Sequence, residues 1–176
     1  MNLVITGIVF LVVYLFDQIT KYLTELYVTE QGFSVIPNFL TIQKQYNPGM
    51  AWSFLDEGAG IIILTIISLL ASIVLGYFVT KNDWKKKPLR SFALTFALAG
   101  CVGNLFDRFL TVLYRYFGVE LRKGVVDMIH FEFGQTTFNV ADFFLVTGLC
   151  LLVLEIILDF FKQNKDEGVI DDNYKN

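Results

Sequence analysis

Asp127 and Asp142 are the residues whose placement most plainly calls for chemistry. Asp127 lies in Val125-Val126-Asp127-Met128-Ile129 and Asp142 in Phe138-Asn139-Val140-Ala141-Asp142, both beside long apolar stretches. A carboxylate next to hydrocarbon is costly, and one without a partner marks a functional position. If two such groups meet, repulsion leaves one of them protonated at neutral pH. The ionised member then takes a proton from water, and the protonated member gives one to a carbonyl oxygen. Asn139 reads as a helix N-cap. That puts Asp142 at the third helical position, where free backbone N–H groups and the helix dipole favour negative charge. Asp142 is thus either a plain helix-start acid or the ionised half of a pair. Asp127, among apolar neighbours, has no comparable local explanation.

Other polar groups stand in the same unusual company. Asp17 and Lys21 are four apart on one helical face and neutralise each other, either as a structural ion pair or as a brace for a site. Gly100, Gly103, Asn104 and Asp107 follow the i, i+3, i+4, i+7 pattern and share one face. The glycines suit close helix approach, and Asn104 suits a hydrogen bond between helices. Arg108 points about 100° away from Asp107, so the two do not simply pair. Asn47-Pro48-Gly49 is a turn signal.

The elements that must position these groups are membrane helices. The 176 residues are 55% hydrophobic and 16% aromatic, with a mean hydropathy of +0.55, too apolar for an ordinary soluble domain of this size. Four stretches, about 3–23, 60–80, 89–113 and 141–161, each reach the roughly 20 residues needed to cross a bilayer. The first has no basic leader and carries Asp17, Gln18 and Lys21 where a cleavage site would lie, so it reads as a retained helix. Lys81, Lys85, Lys86, Lys87 and Arg90 cluster between the second and third stretches. The positive-inside rule puts that loop, about 81–88, in the cytoplasm together with both termini. The segment 32–54 has short-strand character bounded by Gly32 and Asn47-Pro48-Gly49, with Phe33, Phe39, Trp52 and Phe54 as interfacial anchors. The segment 114–139 reads as a loop, short helix or hairpin. The expectation is therefore an all-α membrane protein, with four transmembrane helices, a small extracytoplasmic β-element and a second extracytoplasmic loop or short helix, in a single domain.

Several chemistries are excluded by composition. One histidine, His130, does not make a zinc-protease ligand set, so no metal is expected, and His130 reads as an interfacial residue. Ser68, Ser72 and Ser91 lack a nucleophile-elbow setting, and Ser53 is only a hydrogen-bonding candidate. No phosphate loop or dinucleotide fingerprint is present, so no cofactor is expected. The net charge of −3 gives no attraction to nucleic acid. Leu98-Ala99-Gly100-Cys101 matches a lipoprotein-precursor cleavage tetrapeptide but lies in mid-span, which makes it a coincidence. Cys101 and Cys150 read as two buried free thiols. A rival reading is a small proton-coupled transporter or channel, with Asp17, Asp107, Asp127 and Asp142 as a relay at successive depths. A second is an assembly factor whose aspartates only cap and pair helices.

Five blocks in order resemble the lipoprotein signal peptidases, the signal peptidase II family of bacterial intramembrane aspartic proteases. They are Asp17-Gln18-Ile19-Thr20-Lys21, Asn47-Pro48-Gly49-Met50-Ala51-Trp52-Ser53, Gly100 to Arg108, Val125-Val126-Asp127-Met128 and Phe138 to Asp142. The resemblance implies cleavage N-terminal to a diacylglyceryl-modified cysteine in prolipoproteins, at the outer face of the cytoplasmic membrane. A monomer surrounded by membrane lipid is the expected state. The resemblance also implies Asp127 and Asp142 as the catalytic dyad. Asn47, Asn104 and Arg108 match positions lining the substrate and inhibitor site, and Asp17 and Lys21 match a supporting pair. Gly49, Asp107 and Asn139 fall in the same blocks with binding or supporting roles. The cyclic peptide globomycin is the implied inhibitor. Met128 replaces a frequent Phe, the fifteen residues from Asp127 to Asp142 are slightly fewer than usual, and the segment 114–124 is longer.

Overall fold

The elements follow in the order α1 (Asn2–Tyr27), β1 (Phe33–Ile36), β2 (Leu40–Asn47), α2 (Glu57–Lys81), α3 (Pro88–Tyr116), β3 (Val125–Phe131), β4 (Thr136–Phe138) and α4 (Val140–Asn173). They belong to a computed structural model that describes residues 2–48, 57–119 and 123–173. Four helical stretches, 3–27, 59–81, 88–116 and 140–162, are long and apolar enough to cross a bilayer, as the sequence predicts. Exposed Leu, Ile, Val and Phe side chains run along α1, α2 and α4, among them Val12, Phe16, Ile66, Leu70, Val146 and Val153. In lipid these form the solvated surface, because acyl chains are as apolar as the side chains.

α3 is the centre of the bundle and packs against α1, α2 and α4. Its buried face carries Ala93, Ala97, Gly100, Gly103, Asn104 and Asp107. Small residues are needed there because the helices nearly touch. A Cβ on Gly100 would stand 2.3 Å from the backbone oxygen of Ala141 and 2.7 Å from the nitrogen of Leu145. A Cβ on Gly103 would stand 2.8 Å from Oδ2 of Asp17. Gly100→Ala is therefore expected to push the start of α4 away from α3, at a cost of about 1–3 kcal/mol. Thermal unfolding in detergent checks this, with Gly76→Ala as the control, since nothing lies within 4 Å of that position.

Both segments outside the helices enter one antiparallel sheet in the order β1-β2-β3-β4. Of the alternatives that the sequence offers for 114–139, the hairpin is the one found. Residues up to Tyr116 continue α3, and 125–138 form the β3–β4 hairpin. The physical reason lies in a partner far away in sequence. Val125, Val126, Ile129 and Thr137 have strand propensity, but β3 becomes a strand by pairing with β2, with Gln45 opposite Asp127 and Asn47 opposite Val125. The first half of β3 is buried against α1 and α3. The proposed anchors Trp52 and Phe54 lie outside the described residues, while Phe33 and Phe39 are exposed.

At the opposite end of the bundle Trp84 donates its indole N–H to Thr6 (2.7 Å), and Arg90 donates to Glu155 from Nε (2.8 Å) and Nη2 (2.6 Å). Lys87 pairs with Asp159 and with Glu155. Part of the basic cluster between α2 and α3 thus ties α3 to α4. Cys101 is buried against Ser68 and Ser72, but Cys150 is exposed on α4, so only one of the two free thiols is buried. The apolar setting of Cys150 is the lipid-facing side of its helix.

Candidate active site

Asp142 sits at the start of α4 in a reciprocal cap. Its backbone N–H donates to Oδ1 of Asn139 (2.9 Å), and its Oδ2 accepts from the backbone N–H of Asn139 (3.3 Å). This is the geometry that the Asn-x-x-Asp spacing predicts. Asp127 arrives from β3, whose alternation turns it onto the same face as Asn47 and Gln45 of β2. Its side chain is buried, with 3% of the residue exposed.

Asn139 joins the two acids. The Nδ2 group of this wholly buried residue donates to Oδ1 of Asp127 (2.6 Å) and to Oδ1 of Asn104 (3.1 Å), while its own oxygen caps Asp142. Asn104 of α3 closes the loop by donating from Nδ2 to Oδ1 of Asp142 (2.7 Å). The exposed Asn47 donates to the other oxygen of Asp127 (3.2 Å). The carboxamides of Asn104 and Asn139 are each held in one orientation by what they must both give and accept.

A second layer lies beneath. Lys21 directs its three ammonium hydrogens at Asp17 (2.7 Å), Asp107 (2.7 Å) and Oδ1 of Asn104 (3.0 Å). Asp17 in turn accepts the backbone N–H of Ala141 (2.8 Å), so a residue of α1 caps α4. Gln18 donates to Asp17 (3.0 Å) and makes longer contacts with Asp107 and the carbonyl of Gly103. The four aspartates are linked through Lys21, Asn104 and Asn139 into one cluster.

The two acids differ in setting. Burial, and then the charge of Asp142, push the carboxyl of Asp127 up to about 7, against the pull of hydrogen bonds from Asn47 and Asn139 and the more distant charge of Lys21. Asp142 instead sits at a helix start and accepts two N–H donors, from Asn104 and from the backbone of Asn139.

Of the sequence-predicted site residues, Asn47, Asn104, Asn139, Asp17, Lys21 and Asp107 come together around Asp127 and Asp142. Arg108 instead donates to Oγ of Ser68 on α2 (2.8 Å). Gly49, and Met50 to Ser53 after it, lie outside the described residues. Sequence reasoning passed over Gln45, which faces Asp127 across the ladder, and the bridging role of Asn139. Only the pairing of β2 with β3 gives Gln45 its position, whereas the Asn139 bridge needs a third element, α3.

A family profile described as signal peptidase (SPase) II matches residues 9–158. The lipoprotein signal peptidase of Enterococcus faecalis is 36% identical over 146 residues, covering 81% of each chain. That of Bacillus pumilus is 33% identical, covering 81% of this chain and 86% of the relative. A bacterial membrane enzyme solved by the in meso method superposes with a TM-score of 0.72 at 30% identity, over 88% of each chain.

Proposed function

The chain belongs to the signal peptidase II family, a multi-pass bacterial membrane peptidase that removes signal peptides from prolipoproteins, and on that premise we propose that Asp127 and Asp142 are its catalytic pair. The observation that carries this reading is the single buried carboxamide of Asn139 held between the two acids. Asp142, charged at its helix start, takes a proton from the attacking water. Asp127, which holds its proton near neutrality, donates it to the scissile carbonyl oxygen as the tetrahedral intermediate forms. Protonation of the leaving amine and return of a proton to Asp127 complete the cycle.

The bond cut is the one N-terminal to a diacylglyceryl-modified cysteine. The sheet end of the bundle, with the acids, faces the extracytoplasmic side, and the Lys-rich loop and both termini face the cytoplasm. Lipid chains of the substrate stay in the bilayer while water reaches the pair from outside. Asn47, Gly49, Asn104, Arg108 and Asn139 bind or orient substrate and inhibitor, and Asp17, Lys21 and Asp107 hold them in place. The protein works as a monomer, and globomycin occupies the same site.

Cleavage of a lipid-modified prolipoprotein by detergent-purified protein tests the reading, followed by gel mobility. Globomycin is expected to stop it and a chelator to leave it unchanged. Because the protonated form of Asp127 is the acid, kcat/KM is expected to fall as pH rises through about 7. The decline should approach about tenfold per pH unit on the alkaline side. The midpoint is a property of the coupled pair. A profile flat from pH 6 to about 9 would remove Asp127 as the proton donor.

A further inference from the structure

A groove of about 480 Å³ runs between β4 and α4, and Asp142 is part of its wall. Thr136 and Phe138 of the sheet cover its upper end, and Val146, Cys150 and Leu151 line it down the helix. Apart from the carboxylate end its surface is nearly all hydrocarbon. From Asp142 to Leu151 the helix advances about 14 Å into the bilayer. One end of the groove therefore touches a reacting carboxylate, and the other opens among the side chains that face lipid.

We propose that this groove seats an acyl chain of the substrate's lipid-modified cysteine; the assignment rests on the dyad reading above. The modified cysteine is the residue immediately after the scissile bond. Its lipid must leave the site directly beside the two acids, and the groove is an apolar path that begins at one of them. Bulk lipid offers the chain an equally apolar environment, so seating it adds little affinity. What it adds is orientation. A chain laid along α4 fixes the cysteine, and with it the scissile carbonyl, relative to Asp142, and small misplacements of a reacting group are costly in rate. The groove also gives the peptide a direction, with the product-side cysteine toward α4.

The test is a ruler built on the helix. Cys150→Trp obstructs the lower part of the groove, and Val146→Trp obstructs it one turn below Asp142. Each protein is assayed on two prolipoproteins of identical peptide sequence, one carrying palmitoyl chains and one carrying butyryl chains. Cys150→Trp is expected to lower the long-chain to short-chain ratio of kcat/KM by about tenfold or more. Val146→Trp, nearer the acids, is expected to lower cleavage of both substrates. Ile156→Trp, on an exposed part of α4 outside the groove, is expected to keep the wild-type ratio. Because the ratio is taken within one preparation, partial misfolding cancels. A ratio in Cys150→Trp within about twofold of wild type would overturn the assignment and leave the groove to bulk lipid. Failure of the dyad reading looks different, since Asp142→Asn would then still cleave both substrates.

Discussion

Asp127→Asn is expected to lower kcat for prolipoprotein cleavage by at least about 10²–10⁴-fold, the usual contribution of a positioned acid or base, while leaving the protein folded. Asparagine keeps an oxygen to accept the hydrogen bond from Asn139, and Asn47 can turn its own carboxamide to meet the new amide. The variant should also gain stability relative to wild type as pH rises. The carboxyl of Asp127 is raised from 3.8 to about 7 in the folded protein. The stabilising effect of its bound proton is complete below about pH 4 and is lost as pH rises through about 7. At the alkaline end the lost term is on the order of 4 kcal/mol at most. The amide has no proton of this kind to lose, so its unfolding midpoint should move up relative to wild type between about pH 4 and about 7 and level off above that. Asp142→Asn is a less clean probe. Both its oxygens accept N–H donors, from Asn104 and from the backbone of Asn139, and an amide leaves one of them facing another donor. Loss of activity there should come with about 1–3 kcal/mol of destabilisation. Full cleavage by either variant would eliminate the pair as the catalytic groups.

Lys21→Met is expected to be the most damaging substitution for stability. It removes the ammonium that pairs with Asp17 and Asp107, all three being buried, and leaves two carboxylates close together between helices. Breaking a buried pair by removing one partner costs about 3–5 kcal/mol. Thermal unfolding in detergent measures this. The triple variant Lys21→Met, Asp17→Asn, Asp107→Asn should recover most of the loss, because it removes the stranded charges and still leaves residue 17 an oxygen for the N–H of Ala141. Activity should not recover with it, since Asn104 loses the Lys21 hydrogen bond that fixes its oxygen. If the triple variant were as unstable as Lys21→Met alone, shape and not charge would be what Lys21 supplies.

Local pattern carries a large part of this protein. Apolar stretches of membrane length predict the four helices, and the spacing of Gly100, Gly103, Asn104 and Asp107 predicts one buried face of α3, because both depend on periods within a single element. The cap of α4 is equally legible, since Asn139 and Asp142 bond each other across three residues. The β3–β4 hairpin was harder to read. Its strand state depends on β2, about eighty residues earlier, and pairing over that distance leaves no periodic trace in either segment.

Which polar group meets which was decided by the tertiary structure. Types and spacing name Asp17, Lys21, Asn104, Asp107, Asp127, Asn139 and Asp142 as costly residues in an apolar chain. They do not say that Lys21 serves two acids, that Asp17 caps a helix it does not belong to, or that Arg108 turns to Ser68. Each of those facts depends on which faces of α1, α2, α3 and α4 are in contact. The physical reason is common to all of them. A local pattern fixes the direction of a side chain from its own helix or strand, whereas its partner is fixed by the close approach of another element. Here the small residues along α3 permit that approach and bring the start of α4 against Asn104, and β2 carries Asn47 to Asp127.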